Sequence, residues 1–529
     1  MRTVAVSFNV YVSSKIGSEG MGLLTLTAGI YGFAITFATS GINMAVVRLV
    51  SACLPYDYTS KFDKRSDMCV KRIMKNALFY CLAFSVTASI ILFISSENIG
   101  KYLLGDTRVV PSLRLMSFSL VPISISSALN GYFCAVRRVY KNVIVQFCEQ
   151  GAKIGVVTAL LITIAPNGLE YACIAVVAGG ALSEGVCVIV SAILYFFDRR
   201  LHKGKKSKNT EDVFKKGCFL VGCKRSLEIK SEETKVIPIA LPVGISAYVR
   251  SALSTIEHLA IPWGLKQSGL NASHSLSSYG VLHGMVFPIL LFPSAVLGAF
   301  SSLLVPELSS SMAQNDTKRI KRIVSRVFNM SLIFAMGVSG IFICFSYEIG
   351  AFIYGNYEAG EYIRLLAPLI PLMYLDGSVD AMLKGLGEQV YSMRVNILDS
   401  LISVILIITL LPIFGIKGYV AVIFITELIN TSFSILKLLN ITKIKTPIFK
   451  WVIVPLICVV CATIISRLLF SFILIEGKAL IIIQILTTSI IYILIYTILI
   501  NKQPKRVAYF LITKYCSLNC FIGNDRILM

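Results

Sequence analysis

The chain has 529 residues, of which 56% are hydrophobic and only 15% are charged, and its mean hydropathy is +0.77. A soluble chain carries about a quarter charged residues, so this composition excludes a soluble protein and indicates an all-α polytopic membrane protein. The 50 Lys and Arg against 28 Asp and Glu do not indicate nucleic-acid binding. They collect in loops on one side of the predicted spans, as membrane topology and anionic lipids require.

Hydrophobic runs long enough to cross about 30 Å of hydrocarbon predict about fourteen transmembrane helices. They lie near 1–14, 22–47, 77–95, 111–136, 143–164, 171–197, 236–262, 279–305, 327–347, 363–383, 395–413, 418–439, 451–472 and 480–500. The first run is short and polar for a crossing. This favours a native start upstream, with Met1 lying inside the first helix. The alternative is a short, tilted first helix.

A basic segment at residues 198–235 separates two similar apolar arrays. Gly105-Asp106 matches Gly355-Asn356 at a spacing of 250 positions, and neighbouring pairs keep that register. The segment therefore predicts a cytoplasmic linker inside a duplicated protein. The predicted parts are an N-lobe of six helices at 1–197, the linker at 198–235, a C-lobe of six helices at 236–445, two further helices within 446–500, and a cytoplasmic tail at 501–529.

Lysines and arginines fill alternate loops and leave the others nearly bare. The positive-inside rule then predicts a multi-pass protein of the cell membrane with both termini in the cytoplasm. The 14 cysteines are scattered through apolar runs, so we expect no disulfide framework, and neither a metal nor a cofactor is expected.

Three stretches resemble a known family. They are SSKIGSEGMGLLTL (Ser13–Leu26), FATSGINMAVVRLVS (Phe37–Ser51) and YGVLHGMVFPILLFPSAVLGAFSSLLVPELSSSMA (Tyr279–Ala313). They are similar to the stage V sporulation protein B family of polysaccharide-biosynthesis membrane proteins. They resemble more distantly the MurJ lipid II flippases of the multidrug/oligosaccharidyl-lipid/polysaccharide exporter superfamily.

The resemblance implies a two-lobed, MATE- or MurJ-like flippase that works by alternating access. Its implied substrate is an undecaprenyl-pyrophosphate-linked precursor of peptidoglycan or polysaccharide, such as that of the spore cortex. The implied partners are this lipid-linked sugar, membrane lipids and cell-wall synthesis enzymes. We expect a monomer.

Arg250 is the leading candidate for contact with a phosphate, because it lies in the middle of the span VGISAYVRSALSTIEHLAIP. A lone arginine there costs roughly 2.5–3.5 kcal/mol on insertion scales, so it is expected to face a cavity or a partner. Glu257 lies seven residues on, on the same helix face, and His258 follows it. These residues are predicted to bind substrate, and the alternative is a structural Arg250–Glu257 pair.

Three further residues are candidates for substrate binding. His283 lies early in the helix that carries the FPSAVLG run, and the alternative for it is a satisfied interior histidine. Arg2 and Arg48 occupy positions where the resemblance implies cavity arginines. Arg48 also fits a cation at a cytoplasmic helix end, where any basic residue would serve.

Carboxylates inside spans mark ion or proton paths by default. Glu184 and Glu427 lie deep, have no neutralising neighbour four residues away, and occupy equivalent last helices of the two halves. They are the candidates for ion coupling. Two other carboxylates have a lysine four residues on and are expected to form structural pairs: Glu149 with Lys153 and Asp380 with Lys384.

Other classes of function remain open. A cation-coupled multidrug exporter of MATE type would use the same fold, but it would need an acidic, aromatic-lined cavity, against which the deep Arg250 argues. A membrane glycosyltransferase needs acidic or histidine groups on a large outer loop, and the longest outer loop, near 263–278, has no carboxylate. A non-transporting scaffold for cell-wall synthesis is a third reading. No nucleotide-binding motif is present in the sequence, so we expect neither ATP hydrolysis nor another enzyme activity.

Overall fold

The computed structural model describes residues 2–39, 41–53, 64–204, 237–444, 452–471 and 478–500, and these residues form helices with no strand among them. In chain order the α-helices are α1 (Arg2–Thr39), α2 (Ile42–Cys53), α3 (Lys64–Asn98), α4 (Val110–Ala135), α5 (Val139–Ile164), α6 (Leu169–Gly204), α7 (Ile237–Gln267), α8 (Ala272–Tyr279), α9 (Phe287–Leu291), α10 (Ser294–Ala313), α11 (Thr317–Cys344), α12 (Ser346–Tyr354), α13 (Tyr357–Leu366), α14 (Ile370–Gly385), α15 (Gln389–Thr442), α16 (Val454–Ser471) and α17 (Lys478–Ile500). The all-α polytopic fold class is confirmed.

Two of the long helices are each broken at a glycine. The backbone of α1 leaves helical geometry at Gly17 (φ 69°, ψ −176°), and that of α15 does so at Gly415 (φ 58°, ψ −136°). Glycine adopts positive φ without the steric penalty that a side chain would bring. Both breaks fall in gaps between predicted spans. Ten helical stretches within the described ranges are long and apolar enough to cross a membrane, and α1 with α2 and the whole of α15 each count as one.

The predicted span at 279–305 is divided in the structure and is not one straight helix. A π-helical segment at Gly280–Val286 follows α8, α9 comes next, and the chain bends before α10 begins at Ser294. Proline lacks the backbone N–H that a helix interior needs, and Pro288 and Pro293 lie at the start of α9 and directly before α10.

The structure divides into two compact units that do not coincide with the predicted lobes. Unit 1 comprises Met1–Met285 with Asn396–Val422, and unit 2 comprises Val286–Val395 with Ile423–Met529. Within unit 1, α7 and α8 pack on α1, because the Thr255 hydroxyl donates to the Gly29 carbonyl at 3.0 Å and the Ser18 and Ser277 hydroxyls lie 2.7 Å apart. The two lobes therefore stay a prediction.

The predicted linker also differs in part from the structure. Its first residues, 198–204, continue α6, while 205–235 lie outside the described residues.

The 250-residue repeat is visible in the backbone as well as in the sequence. Gly105 (φ 65°, ψ 24°) and Gly355 (φ 64°, ψ 20°) adopt the same left-handed conformation after a helical segment. The next residues, Asp106 and Asn356, are extended, and their side chains accept hydrogen bonds from the backbone N–H groups two residues on, at 3.0 and 2.8 Å. This shared turn supports duplication.

In unit 2, α11 packs against α14 and α16. The Ser331 and Ser378 hydroxyls lie 3.0 Å apart between α11 and α14. The Tyr492 hydroxyl of α17 donates to the Ile333 carbonyl of α11 at 2.8 Å. Hydrogen bonds of this kind help apolar helices to associate in lipid, where the hydrophobic effect does not drive them together.

In unit 1, the fully buried carboxylate of Asp198 ties α6 to the start of α5. It accepts from Lys141 Nζ at 2.5 Å, from the Tyr132 hydroxyl at 3.2 Å and from the Arg138 guanidinium. Lys141 is also buried. A buried ion pair stays favourable only while both partners are present.

We predict that Asp198→Asn lowers the free energy of unfolding by about 3–5 kcal/mol, because it leaves the Lys141 ammonium buried without its counter-charge. The matched control is Glu307→Gln, which removes a carboxylate from an exposed pair with Arg319 at 3.4 Å. That change should cost less than about 1 kcal/mol. Thermal unfolding of the detergent-solubilised protein measures both, and equal effects would contradict the prediction.

The described residues contain one joined cysteine pair, which does not amount to a disulfide framework. Cys53 at the end of α2 and Cys69 in α3 form a disulfide. The sequence offered no spacing signal for it, because α2 and α3 meet only through tertiary packing.

Candidate substrate and ion-coupling site

Three predicted site residues lie together in unit 1. Glu257 and His258 are on α7, and His283 is on the π-helical segment after α8. The ring centroids of His258 and His283 are 5.2 Å apart. π-Helical turns are rare and often occur at functional sites. The backbone conformation around His283 therefore points to a functional site at the same position as its side chain does.

Two tyrosines complete a polar chain through this region. His258 Nδ1 and the Tyr279 hydroxyl are 2.9 Å apart, and His283 Nε2 and the Tyr419 hydroxyl are 2.5 Å apart. We call these four residues the His–Tyr chain. Sequence reasoning missed both tyrosines, because Tyr419 lies 136 residues from its partner and tyrosines are common in apolar spans.

Glu257 has a polar partner other than the one predicted. The Ser403 hydroxyl of α15 donates to Glu257 Oε1 at 2.8 Å. Within the described part of α7 the alternative pairing of Glu257 with Arg250 is not formed, because no ion pair joins the two. Arg250 instead has an exposed side chain near the middle of α7.

The other two predicted arginines are also exposed. Arg2 begins α1, and Arg48 lies on α2. The structure brings neither of them into the His–Tyr chain. What Arg2, Arg48 and Arg250 share is an exposed side chain on a mostly apolar helix.

The two ion-coupling candidates lie in different units. Glu184 of α6 interacts electrostatically with Glu149 and Lys153 of α5. The expectation that Glu184 lacks a neutralising neighbour four residues away is unaffected, because Lys153 acts on it from the next helix. No search at four-residue spacing could find such a partner.

In unit 2, Glu427 Oε1 accepts a hydrogen bond from the Thr431 hydroxyl at 3.2 Å. The expected structural pair of Asp380 with Lys384 is confirmed, with Nζ and Oδ2 2.5 Å apart. Across the described residues, no group of three or more His, Cys, Asp or Glu is arranged to hold a metal ion.

An ion-pair network that the sequence did not predict lies at one end of unit 1. The Arg108 guanidinium donates to Glu19 at 2.9 Å and to Asp106 at 2.7 Å, and the Ser273 hydroxyl donates to Glu19 at 3.0 Å. We call Glu19, Asp106, Arg108 and Ser273 the Arg108 network. It joins α1, the turn before α4 and the start of α8.

Asp106 is ionised within this network. Burial opposes its charge, but hydrogen bonds from the Arg108 guanidinium and backbone hold the pKa of Asp106 below its ordinary value. A cavity beside the network is lined in part by Lys266 and Leu276. Asp106 therefore stays ionised at neutral pH.

Near the Arg108 network, the backbone of α1 contacts the backbone of the α8 segment, meaning α8 and the π-helical turn that follows it. A Cβ added to Gly22 would lie 2.2 Å from the Leu276 carbonyl oxygen, and one added to Gly280 would lie 2.1 Å from the Ser18 carbonyl oxygen. Only glycine fits at such distances. Small residues of this kind let transmembrane helices approach closely, so α1 closes tightly on α8 here.

Comparison with known proteins agrees with this architecture. The family model described as Polysaccharide biosynthesis protein matches residues 2–228, and the MatE model matches residues 267–409. Stage V sporulation protein B of Bacillus subtilis (strain 168) is 25% identical over 412 residues, covering 77% of this chain and 75% of that protein. Lipid II flippase MurJ of the same organism is 21% identical over 434 residues, covering 79% and 76%.

A solved structure of lipid II flippase MurJ in an inward closed conformation shares the fold. It covers 94% of this chain and 96% of its own, with a TM-score of 0.67 at 14% identity. The two family models fall on successive parts of the chain, and the relatives span about three quarters of it. Over successive parts of its length the chain is therefore similar to the membrane flippases and exporters of the multidrug/oligosaccharidyl-lipid/polysaccharide superfamily.

Proposed function

We propose that this chain flips a lipid-linked oligosaccharide from the cytoplasmic to the outer leaflet of the cell membrane. The substrate is a peptidoglycan or polysaccharide precursor on undecaprenyl pyrophosphate, in keeping with relatives named as a sporulation protein and a lipid II flippase. The observation that carries the proposal is Arg250, an exposed guanidinium in the middle of an apolar helix.

The head group of such a substrate sets the physical problem. Moving a sugar and two phosphates through hydrocarbon without hydration costs tens of kcal/mol. A protein lowers that cost with a wet path and cations for the phosphates. Arginine suits the task because its planar guanidinium donates two parallel hydrogen bonds to a phosphate and stays charged.

The close packing of α1 on α8 supplies a barrier that the head group must pass. The positive-inside rule places the Arg108 network at the outer side, because the loops that carry it are poor in cations. Release to the outer leaflet then requires the Arg108–Glu19 ion pair to break and the Gly22–Leu276 contact to open. Alternating access at this end is therefore movement of α1 away from α8.

The second candidate function is cation-coupled export of drugs. The MatE match at residues 267–409 favours it, as does the carboxylate pair Glu184 and Glu149. The accessible guanidinium of Arg250 opposes it, since a cationic drug would be repelled. A scaffold role in cell-wall synthesis is the third candidate, and it requires no substrate contact at Arg250.

Substrate-induced stabilisation separates the three functions. A ligand that binds only the folded state stabilises it by about 2.7 kcal/mol at 100 times its dissociation constant. We expect an undecaprenyl-pyrophosphate-linked sugar to raise the unfolding temperature of the purified protein, and ethidium not to raise it. Stabilisation by ethidium alone would support the drug exporter, and stabilisation by neither would support the scaffold.

We also predict that flipping depends on the membrane potential. An inside-negative potential favours the outward movement of negative charge. Two negative charges that leave the cell gain roughly 4.6 kcal/mol per 100 mV if their charge is not compensated. If the cavity arginines move with the substrate, the potential acts instead on the return of the empty carrier. Proteoliposomes with a potassium gradient and valinomycin measure this. A rate that ignores the potential and follows a sodium gradient would contradict it and would turn attention to Glu184 and Glu427.

The remaining assignments follow from the same reading. The protein acts as a monomer in the cell membrane with both termini in the cytoplasm. Its partners are the lipid-linked sugar, membrane lipids and the cell-wall enzymes that supply or consume that sugar.

A further inference from the structure

The His–Tyr chain consists of two hydrogen-bonded His–Tyr pairs that lie side by side inside unit 1. It runs from His258 on α7 through Tyr279 and His283 on the α8 segment to Tyr419 on α15, with polar contacts of 2.9 and 2.5 Å at its ends. The rings of Tyr279 and His283 are 4.8 Å apart between their centroids. The consecutive helices α7 and α8 and the remote α15 thus meet at one group of polar side chains.

The His–Tyr chain lies beside α1, so a movement of α1 would disturb it. A Cβ on Gly284, next to His283, would approach Met21 Cβ of α1 to 3.0 Å, and a Cβ on Gly29 would lie 3.2 Å from that of His258. The α1 helix therefore packs on both histidine-bearing segments. Any separation of α1 from α8 removes cover from His258 and His283 together.

The two imidazoles suit a neutral state in this packing. A neutral imidazole has one donor and one acceptor nitrogen, and a tyrosine hydroxyl can donate or accept. Tyr279 is fully buried and Tyr419 almost so, which keeps water from that side of the rings. His258 and His283 are themselves partly buried, and placing a charge on an imidazole is unfavourable where water is excluded.

The same geometry limits the site to one proton. Two imidazolium rings with centroids 5.2 Å apart would repel each other strongly in a medium of low dielectric. The titratable groups packed nearby are Tyr279 from the α8 segment, Tyr419 from α15 and Glu257 from α7, whose carboxylate accepts from Ser403. Histidine is the one of these types that ordinarily titrates near neutral pH.

We infer that His258 and His283 form a single-proton binding site that is neutral while α1 is closed on α8 and is protonated once they separate. One proton passes from water to an imidazole nitrogen on opening and returns to water on closing, and no other bond changes. Proton binding thereby favours the open state. Its coupling to substrate movement rests on the proposed function, whereas proton binding itself does not.

The test measures opening against pH in the absence of any lipid-linked sugar. Spin labels on unnatural amino acids at the exposed positions Lys15 of α1 and Asn271 before α8 report the open fraction of the full-length protein in nanodiscs. A one-proton site changes the ratio of open to closed protein by up to tenfold per pH unit between pH 5 and 8. A slope near a hundredfold per unit, or a ratio independent of pH, would overturn the inference.

Variants assign the proton to the histidine pair. His258→Gln and His283→Gln each keep hydrogen-bonding capacity but leave one imidazole in place, so the two changes combined in one protein should abolish the pH dependence. The matched control is His274→Gln, at an exposed histidine on α8 outside the chain, which should retain the full tenfold slope. If the slope survives the combined glutamine changes and disappears in Glu257→Gln, the carboxylate is the site and the inference is wrong.

Tyr419→Phe keeps the test decisive if a glutamine variant fails to fold. It retains both histidines and the aromatic ring but removes the hydroxyl that pairs with neutral His283. Losing one hydrogen bond from the closed state should move the midpoint of opening upward by about 0.5–1 pH unit with the slope preserved. An unmoved midpoint would mean that the Tyr419 hydroxyl does not stabilise neutral His283, and it would contradict the inference. Because no substrate is present, a failure here is distinct from a failure of the proposed flipping.

Discussion

Arg250→Ala is expected to reduce flipping by about 100-fold or more while leaving the amount of folded protein unchanged. Each hydrogen bond to a charged group contributes about 1.5–3 kcal/mol, and a bidentate contact of the guanidinium with phosphate supplies two. Arg250 is exposed in the structure, so its removal leaves no cavity in a packed core. Flipping of a fluorescent lipid-linked sugar in proteoliposomes measures the rate, and size-exclusion chromatography measures folding.

Arg250→Lys should recover only part of the activity, because an ammonium binds phosphate as a point charge without the planar fork. Arg319→Ala serves as the matched control. Arg319 is an exposed arginine in an ion pair with Glu307 near the start of α11, and its loss should change flipping by less than twofold. Wild-type flipping by Arg250→Ala would remove the main support for phosphate binding by this residue.

Gly22→Ala should prevent the closure of α1 on α8 and slow flipping at least tenfold. The new Cβ would lie 2.2 Å from the Leu276 carbonyl oxygen, and a backbone atom in a helix cannot move aside as a flexible side chain does. Overpacking of this kind typically costs 1–3 kcal/mol. The closed state bears this cost, so the spin-label distance between Lys15 and Asn271 should increase.

Gly32→Ala is the control on the same helix, because no atom lies within 4 Å of the added Cβ. Alanine favours a helix over glycine by roughly 0.5–1 kcal/mol, so this variant should keep or slightly raise stability and should flip normally. If Gly22→Ala kept the wild-type label distance, the tight contact between α1 and α8 would have no role in the cycle.

Much of the fold could be predicted from local features of the sequence. Hydropathy placed the predicted spans within a few residues of most helices, since span length is set by membrane thickness. The breaks at Gly17 and Gly415 fell in predicted gaps. The repeat predicted from Gly105 and Gly355 reappears as one shared turn. Each of these features depends on residues close together in the chain.

The site was only partly predictable, because its contacts join remote parts of the chain. Hydropathy and charge marked Glu257, His258 and His283 as unusual in their spans, and the structure brings them together. Tyr419 could not be found in this way, since a tyrosine in a span is unremarkable until a histidine is known to face it. Glu19 and Arg108 lie 89 residues apart, so no local pattern in the sequence marks them as partners.

The prolines inside the predicted spans have different effects in different helices. The span at 279–305 reads as one apolar run, but Pro288 and Pro293 divide it. Pro122 lies inside α4 without ending it. A proline therefore does not determine alone whether a helix bends, because neighbouring helices decide whether the freed carbonyl finds a partner.

The central claim is that the chain moves a lipid-linked pyrophosphate sugar between leaflets. The direct measurement uses proteoliposomes with a fluorescent undecaprenyl-pyrophosphate-linked sugar and a membrane-impermeant quencher, which reports the labelled head groups that reach the outer leaflet. We predict transfer that depends on the protein, responds to the membrane potential and is lost in Arg250→Ala. Transfer equal to that of empty liposomes, in vesicles where the protein exports ethidium, would contradict the account.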